Sequence, residues 1–279
     1  MRIVSLDTAT AATVAGLLDT DAGRVLEARD DPAPGARPGH SRLALPLIEQ
    51  LRARAGVAWR SVDRIAVGVG PGTFTGLRIG IATAQGLAES AGIPLVGVST
   101  LRALAIGVPL DVPVLAVIDA RRSEVFIGGW AARRDALASS PAIAPAVLAP
   151  AAIGGAVAQV RAATSGARPA SGGRLTCGGG TRPGSEGRRA DNGGSLTIGA
   201  EPAMTGGGPL AVGDGAIRYR AELELAGAVV PPDDSPLHRV AGAALCRLGA
   251  ACEPAASPGG VQPSYIRAPD ATPPRAAAG

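Results

Sequence analysis

Fourteen residues constrain this chain more than any others: Val67-Gly68-Val69-Gly70-Pro71-Gly72-Thr73-Phe74-Thr75-Gly76-Leu77-Arg78-Ile79-Gly80. An alternating apolar run enters a Gly-Pro-Gly turn, and the turn opens into a helix predicted over Thr75–Ala91. Along that helix Gly76, Gly80, Ala84 and Ala88 recur every four residues, which makes one slowly winding ridge of small side chains. Ile79 and Leu87 lie off the ridge, and the span from Ile79 to Ala88 carries no charge, so the helix should be covered on more than one side. Its own sheet and a neighbouring helix can supply that cover, and so can a partner chain. Leu45, on the outward side of the preceding predicted helix, tips the reading toward a partner.

The same turn could cradle an anion, because a Gly-rich loop opening a helix presents free N–H groups and the positive end of the dipole. It lacks the Lys-Ser/Thr pair of a phosphate loop. A strand-to-helix turn without a ligand is the commoner case.

Around this segment the pattern alternates strands and helices. Strands are predicted at Ile3–Asp7, Thr13–Leu18 and Arg24–Ala28, with a Pro/Gly loop from Pro32 to Gly39. A helix follows from Ser41, read as its N-cap, to about Ala55. Next come strand Arg64–Val69, the helix after the turn, strand Pro94–Val98 and a helix capped by Ser99 that runs through Ile106. The order is βββαβαβα. After Gly107-Val108-Pro109 the pattern restarts with strands Val112–Asp119, Glu124–Trp130 and Ala142–Leu148. Each half therefore begins with an apolar strand ending in Asp, which suggests two related α/β halves: residues 1–108 and 109–267.

Residues 162–208 are Gly- and Arg-rich with few large apolar side chains, too few to offset chain entropy, so they read as a disordered insertion. Order should resume at Leu210–Ala216, followed by helices around Ile217–Ala226 and Ser235–Ala251. The segment 268–279 reads as a disordered tail after an ordered patch, Pro263-Ser264-Tyr265-Ile266-Arg267.

Composition narrows the function. The net charge is +4, all 27 basic residues are Arg, and this pattern reads as genomic bias rather than a nucleic-acid footprint. Such a footprint needs aromatic platforms, and aromatics are only 2% of the chain. Three cysteines make no disulfide framework, and no stretch is long and apolar enough for a membrane span. The N-terminal run is too short for a signal peptide, so a soluble cytoplasmic protein is expected.

Catalytic constellations are missing. Asp7-Thr8-Ala9-Thr10 and Asp119-Ala120-Arg121-Arg122 sit at strand ends, where actin-like folds hold phosphate and Mg²⁺. Ala9 occupies a place that wants Gly, and the second turn has no Gly either. Asp7, Thr10 and Asp119 therefore read as vestigial phosphate-turn residues. His40 and His238 are far apart with no metal-ligand spacing, and no residue set supplies acid, base and nucleophile together. No catalytic residue, metal ligand or cofactor of its own is assigned.

The N-terminal strand and turn, His40-Ser41, the Gly70–Gly80 run, Gly97-Val98-Ser99-Thr100-Leu101, Ile118-Asp119-Ala120-Arg121 and Tyr265-Ile266-Arg267 together resemble the bacterial TsaB (YeaZ) family. The resemblance is specific over residues 1–130 and returns near 210–216 and 263–267. It implies the two-lobed actin-like ATPase fold (the acetate kinase/Hsp70/actin group), each lobe a mixed sheet with a βββαβα core. It implies a non-catalytic subunit of the complex that adds threonylcarbamoyl to N6 of adenosine 37 in tRNAs reading codons that begin with A. The implied partners are the catalytic paralogue TsaD, which it activates as a heterodimer, the ATPase TsaE, and tRNA through the complex. A homodimer when alone, and ATP or ADP at the complex interface, belong to the same picture. The first two helices form the family's dimer face, which places Leu45, Gly76, Ile79, Gly80, Thr83, Ala84 and Leu87 at the interface. On this reading Gly80→Arg abolishes complex formation. An ATP-dependent phosphotransferase or carbamoyltransferase of the same fold is the alternative, with an M22-type peptidase third.

Overall fold

The structure is a computed structural model that describes residues 1–33, 35–138, 140–166 and 207–267. Strands β1 (Arg2–Asp7), β2 (Thr13–Asp19) and β3 (Arg24–Asp30) form a meander. Helix α1 (His40–Ala55), strand β4 (Arg64–Gly70), helix α2 (Phe74–Ala91), strand β5 (Leu95–Ser99) and helix α3 (Thr100–Gly107) complete the predicted order. The sheet runs β3-β2-β1-β4-β5, antiparallel through the meander and parallel from β1 to β4 and β5.

The second half repeats the plan with β6 (Val114–Arg121), β7 (Glu124–Trp130), β8 (Ile143–Leu148) and β9 (Leu210–Val212) in the order β8-β7-β6-β9. Its meander is antiparallel and β9 pairs parallel to β6, as β4 does to β1. The fold is the expected two-lobed, actin-like α/β architecture.

Strand β1 is buried on both faces, so its alternation sorts residues between two apolar layers rather than between core and solvent. Val4 and Leu6 pack with Ala44, Ile48 and Leu51 of α1 and Ile81, Ala84 and Ala88 of α2. Ile3 faces the other way, against Cys246 of α8 (Gly242–Ala251). There the Ser5 hydroxyl donates to the Gly242 carbonyl at 3.0 Å. A Cβ at Gly242 or Gly16 would meet the other's backbone, so this helix and β2 are in closest contact. Helix α8 thus packs on the first sheet although it follows the second, and it crosses the boundary expected at 108/109. Helix α3 sits between the sheets, where Leu101 and Leu104 join a cluster with Ile118, Phe126, Trp130, Leu245 and Leu248.

Several local expectations change. Ser41 is exposed inside α1, and Gly39 stands at the N-cap with no side-chain hydrogen bond. Helices α4 (Arg133–Ala138) and α5 (Ile153–Gly166) were not predicted. Ile153, Val157 and Val160 of α5 cover the outer face of the second sheet, so residues 162–166 finish a helix instead of starting an insertion. The rest of that expected insertion up to residue 206, and the tail 268–279, lie outside the described residues. The helix expected at Ile217–Ala226 is two short ones, α6 (Asp214–Arg218) and α7 (Arg220–Leu225), broken at Tyr219. The one expected from Ser235 is a 3-10 turn, Pro236–His238, followed by α8.

Candidate functional site

The first phosphate turn is closed by its own chain. Asp7, at the end of β1, is fully buried. One carboxylate oxygen accepts the Ala9 N–H at 2.8 Å and the other accepts the Thr100 hydroxyl at 2.9 Å. Burial pushes its pKa up from 3.8 to about 6, against the lowering effect of those two hydrogen bonds. Gly68 on β4 lies so close that a Cβ there would run into the carboxylate. The Ala9 carbonyl, which flanks the turn, accepts the Thr73 N–H at 2.7 Å, so the Gly-Pro-Gly turn lies on top of it. Thr10 is only half-buried, beside His40.

The small-residue ridge has the same explanation. Gly76, Gly80, Ala84 and Ala88 are all buried. A Cβ at Gly76 would meet the Thr8 carbonyl, and one at Gly80 would meet the Thr8 hydroxyl, which itself donates to the Gly76 carbonyl at 2.7 Å. Gly76, Gly80 and Ala84 are therefore not available to a partner. They let α2 settle on the end of β1. Leu45 is 44% exposed, whereas Ile79, Thr83 and Leu87 are half-buried. Ala82 and Gly86 are exposed on the same outer side, and a Cβ at Gly86 would meet nothing.

The second strand-end turn is open but neutralised. Asp119 is bonded by Arg218 at 2.9 Å and lies 3.5 Å from Arg121. Its N–H donates to Asp214 at 3.0 Å. Desolvation raises the pKa of Asp214. Beyond Asp119, Arg121, Arg122 and Ser123 have φ of 63°, 52° and 56°. Arg122 and Ser123 link paired Arg121 and Glu124, the positive-φ pattern of a type I′ hairpin that Asn-Gly fills without strain. Replacing Arg122-Ser123 by Asn-Gly is expected to stabilise the protein by about 1 kcal/mol. Urea unfolding checks this, and an unchanged or lower midpoint would show that the two side chains contribute more than the turn strain costs.

A cavity of about 690 Å³ opens between this hairpin and the start of α2. A C-terminal strap forms its third wall. The strap hydrogen-bonds the first sheet through Ala255 N–H to Leu95 O (2.9 Å) and Ser264 N–H to Val69 O (2.8 Å). Tyr265 then stacks on Phe74 at 5.6 Å between centroids. The Arg78 guanidinium lies 3.9 Å over Phe74, and its Nε donates to the Tyr265 hydroxyl at 3.2 Å. Arg267 reaches the second lobe, pairing with Glu124 and lying 6.0 Å from the Phe126 ring centroid. Asp119 lines this cavity, while Asp7 and Thr10 do not. Phe126 was not singled out in the sequence, because a Phe in a buried-looking strand carries no signal of facing a cavity. Tyr265 and Arg267 did stand out, as the ordered patch in a Pro-rich tail.

His40 is buried with Nδ1 2.9 Å from the Thr13 hydroxyl, and both ring nitrogens of His238 meet backbone carbonyls at 3.1 Å. Both histidines serve packing. Among the described residues no cluster of three metal-ligating side chains occurs, and no helix is long and apolar enough to cross a membrane.

Comparison with known proteins places this architecture. The family model for TsaD, the tRNA N6-adenosine threonylcarbamoyltransferase, matches residues 34–171. The Escherichia coli tRNA threonylcarbamoyladenosine biosynthesis protein TsaB is 39% identical over 134 residues, covering 47% of this chain and 54% of that protein. The chain thus spans about half the length of this curated relative. A solved Pseudomonas aeruginosa structure, described as an uncharacterized protein with similarity to peptidase YEAZ, covers 95% of this chain and 99% of its own. It superposes with a TM-score of 0.62 at 25% identity. A second solved structure, YeaZ from Pseudomonas aeruginosa, is 36% identical, covers 53% of this chain and 67% of its own, and has a TM-score of 0.45. The sequence likeness to these proteins and the two-lobed fold agree: the chain belongs to the TsaB (YeaZ) family.

Proposed function

We propose that this chain is a non-catalytic subunit of the cytoplasmic complex that adds threonylcarbamoyl to N6 of adenosine 37 in tRNAs reading codons that begin with A. It pairs with a TsaD-type paralogue and activates it, and a TsaE-type ATPase joins them. The observation that carries this reading is the closed first phosphate turn, with Asp7 fully buried and the Ala9 carbonyl already bonded to Thr73. A chain with the fold of a phosphotransferase but that turn sealed works through contact. ATP or ADP is held at the complex interface or by the partners, and tRNA is reached through the complex.

The contact surface in this reading is the outer side of α1 and α2, where Leu45, Ile79, Ala82, Thr83, Gly86 and Leu87 carry no charge. When the chain is alone, the same face pairs two copies. Gly80→Arg no longer tests it, since that side chain would be driven into Thr8. Ala82→Arg and Gly86→Arg do, because both positions are exposed. Neither is expected to lower the melting temperature. Each should also weaken association with the TsaD-type partner by about 100-fold, the effect of an uncompensated charge in an apolar interface. Calorimetric titration of the partner reads this, and normal affinity in both variants sinks the interface assignment. The competing phosphotransferase reading needs tight Mg-ATP binding by the isolated chain that Asp7→Ala removes; none is expected.

A further inference from the structure

We propose that the cavity between the α2 N-terminus, the β6–β7 hairpin and the C-terminal strap binds a nucleobase together with its phosphate. The chain has six aromatic residues in 279. Three of them, Phe74, Phe126 and Tyr265, line this one cavity of thirteen residues. Both phenylalanines of the protein are there. Low aromatic content therefore does not argue against stacking, because the few rings are gathered in one place.

Two of the three rings are spread into solvent at a cost in apolar exposure. Phe74 is 54% exposed and Tyr265 is 48% exposed. A planar heterocycle laid on them would cover that surface. Stacking of this kind tolerates any base, since every base has a π-face.

Charge supplies the second half of the ligand. Arg78, Arg121 and Arg267 line the cavity. Arg121 lies 3.5 Å from Asp119 and Arg267 pairs with Glu124, so Arg78 is the guanidinium that the site offers to an anion. Among the described residues Arg78 forms no ion pair; its guanidinium is held in place over Phe74 and by the Tyr265 hydroxyl. A guanidinium positioned beside an aromatic platform is suited to a phosphate oxygen next to a stacked base.

This site is not the sealed phosphate turn, since neither Asp7 nor Thr10 reaches it. It also does not rest on the partnership proposed above, because the isolated chain contains every wall. The same chemistry has two sources, a free mononucleotide or a single-stranded stretch of RNA, and the test separates them.

The full chain is titrated into a fluorescein-labelled single-stranded oligoadenylate, into its duplex with oligouridylate, and against unlabelled AMP as competitor. Saturable binding of the single strand, at least about tenfold weaker for the duplex, is expected. Phe74→Leu and Tyr265→Leu should each weaken it by about fivefold or more, while Phe74→Tyr, which keeps the ring, stays close to the parent. Arg78→Gln should lower the slope of log affinity against log salt by about one. Competition by AMP at concentrations like those of the oligomer identifies a free-nucleotide site, and competition by the oligomer alone identifies an RNA-strand site. Adenine H2 and H8 resonances should also move upfield on titration with the parent protein, which needs no variant to fold. Absence of saturable binding, equal binding of duplex, leucine variants that bind like the parent, or unmoved adenine resonances would each overturn the proposal.

Discussion

Gly76→Ala is expected to lose about 3 kcal/mol of stability or more, enough to remove much of the margin of an ordinary domain. An added methyl would meet the Thr8 carbonyl oxygen, with the Thr73 hydroxyl also in its way. The oxygen is backbone at the end of a central strand, so no side chain can rotate to make room. Relief requires lifting the start of α2, which breaks the 2.7 Å bond from the Thr8 hydroxyl to the Gly76 carbonyl and the 2.7 Å bond from Thr73 N–H to the Ala9 carbonyl. Helix propensity works the other way, by about 1 kcal/mol in favour of Ala, and is outweighed. The same substitution at Gly86, where nothing lies within reach of the new methyl, isolates that propensity and should stabilise by about 0.5–1 kcal/mol. Urea midpoints of the two variants should therefore move in opposite directions. Equal shifts would mean that the contact with Thr8 is not what makes position 76 require glycine.

Asp7→Asn is expected to stabilise the protein at neutral pH, by an amount that depends on pH in a defined sense. The carboxyl titrates near 3.8 when unfolded and near 6 when folded. Between those values the folded state holds a proton that the unfolded state has released, so stability falls as pH rises through this window. The difference between the two values corresponds to roughly 3 kcal/mol, present below pH 4 and lost by about pH 7. Asparagine keeps the shape, accepts the Ala9 N–H, and donates to a Thr100 hydroxyl turned to accept. It does not ionise. The gain of the variant over the parent should be small near pH 4 and reach about 3 kcal/mol at pH 7–8, measured by urea unfolding across the series. A gain that does not change with pH would show that Asp7 ionises freely in the folded protein, as a phosphate-turn aspartate holding Mg²⁺ would have to. This prediction bears on function as well as stability, since the non-catalytic reading rests on that carboxyl being sealed.

The elements that the sequence revealed are those with strong periodicity and plain punctuation. Strand β1, the β1–β3 meander and the α2 helix after the Gly70-Pro71-Gly72 turn were all legible because apolar alternation and a Gly-Pro-Gly turn mark them locally. Helix α5 was not, since Ile153-Gly154-Gly155-Ala156 carries two glycines in its first turn and only docking on the second sheet makes it helical. Ser41 misled because it has the chemistry of an N-cap one residue inside the helix, while the backbone turns at Gly39. The vestigial character of the Asp7 turn was visible in Ala9. Its sealing by Thr73, sixty-four positions later, was not.

By itself the sequence determined that α2 must be approached closely along Gly76, Gly80, Ala84 and Ala88, because only small side chains permit such contact. It also displayed the echo between the two α/β halves. Periodicity around a helix says which residues share a face, but not what stands opposite it. Only the tertiary structure decided that Thr8 and the end of β1 occupy that place, leaving Ala82, Gly86 and Leu45 on the free side. It alone brought Phe74, Phe126 and Tyr265 together from three distant segments, since no local pattern encodes contacts between residues so far apart in the chain.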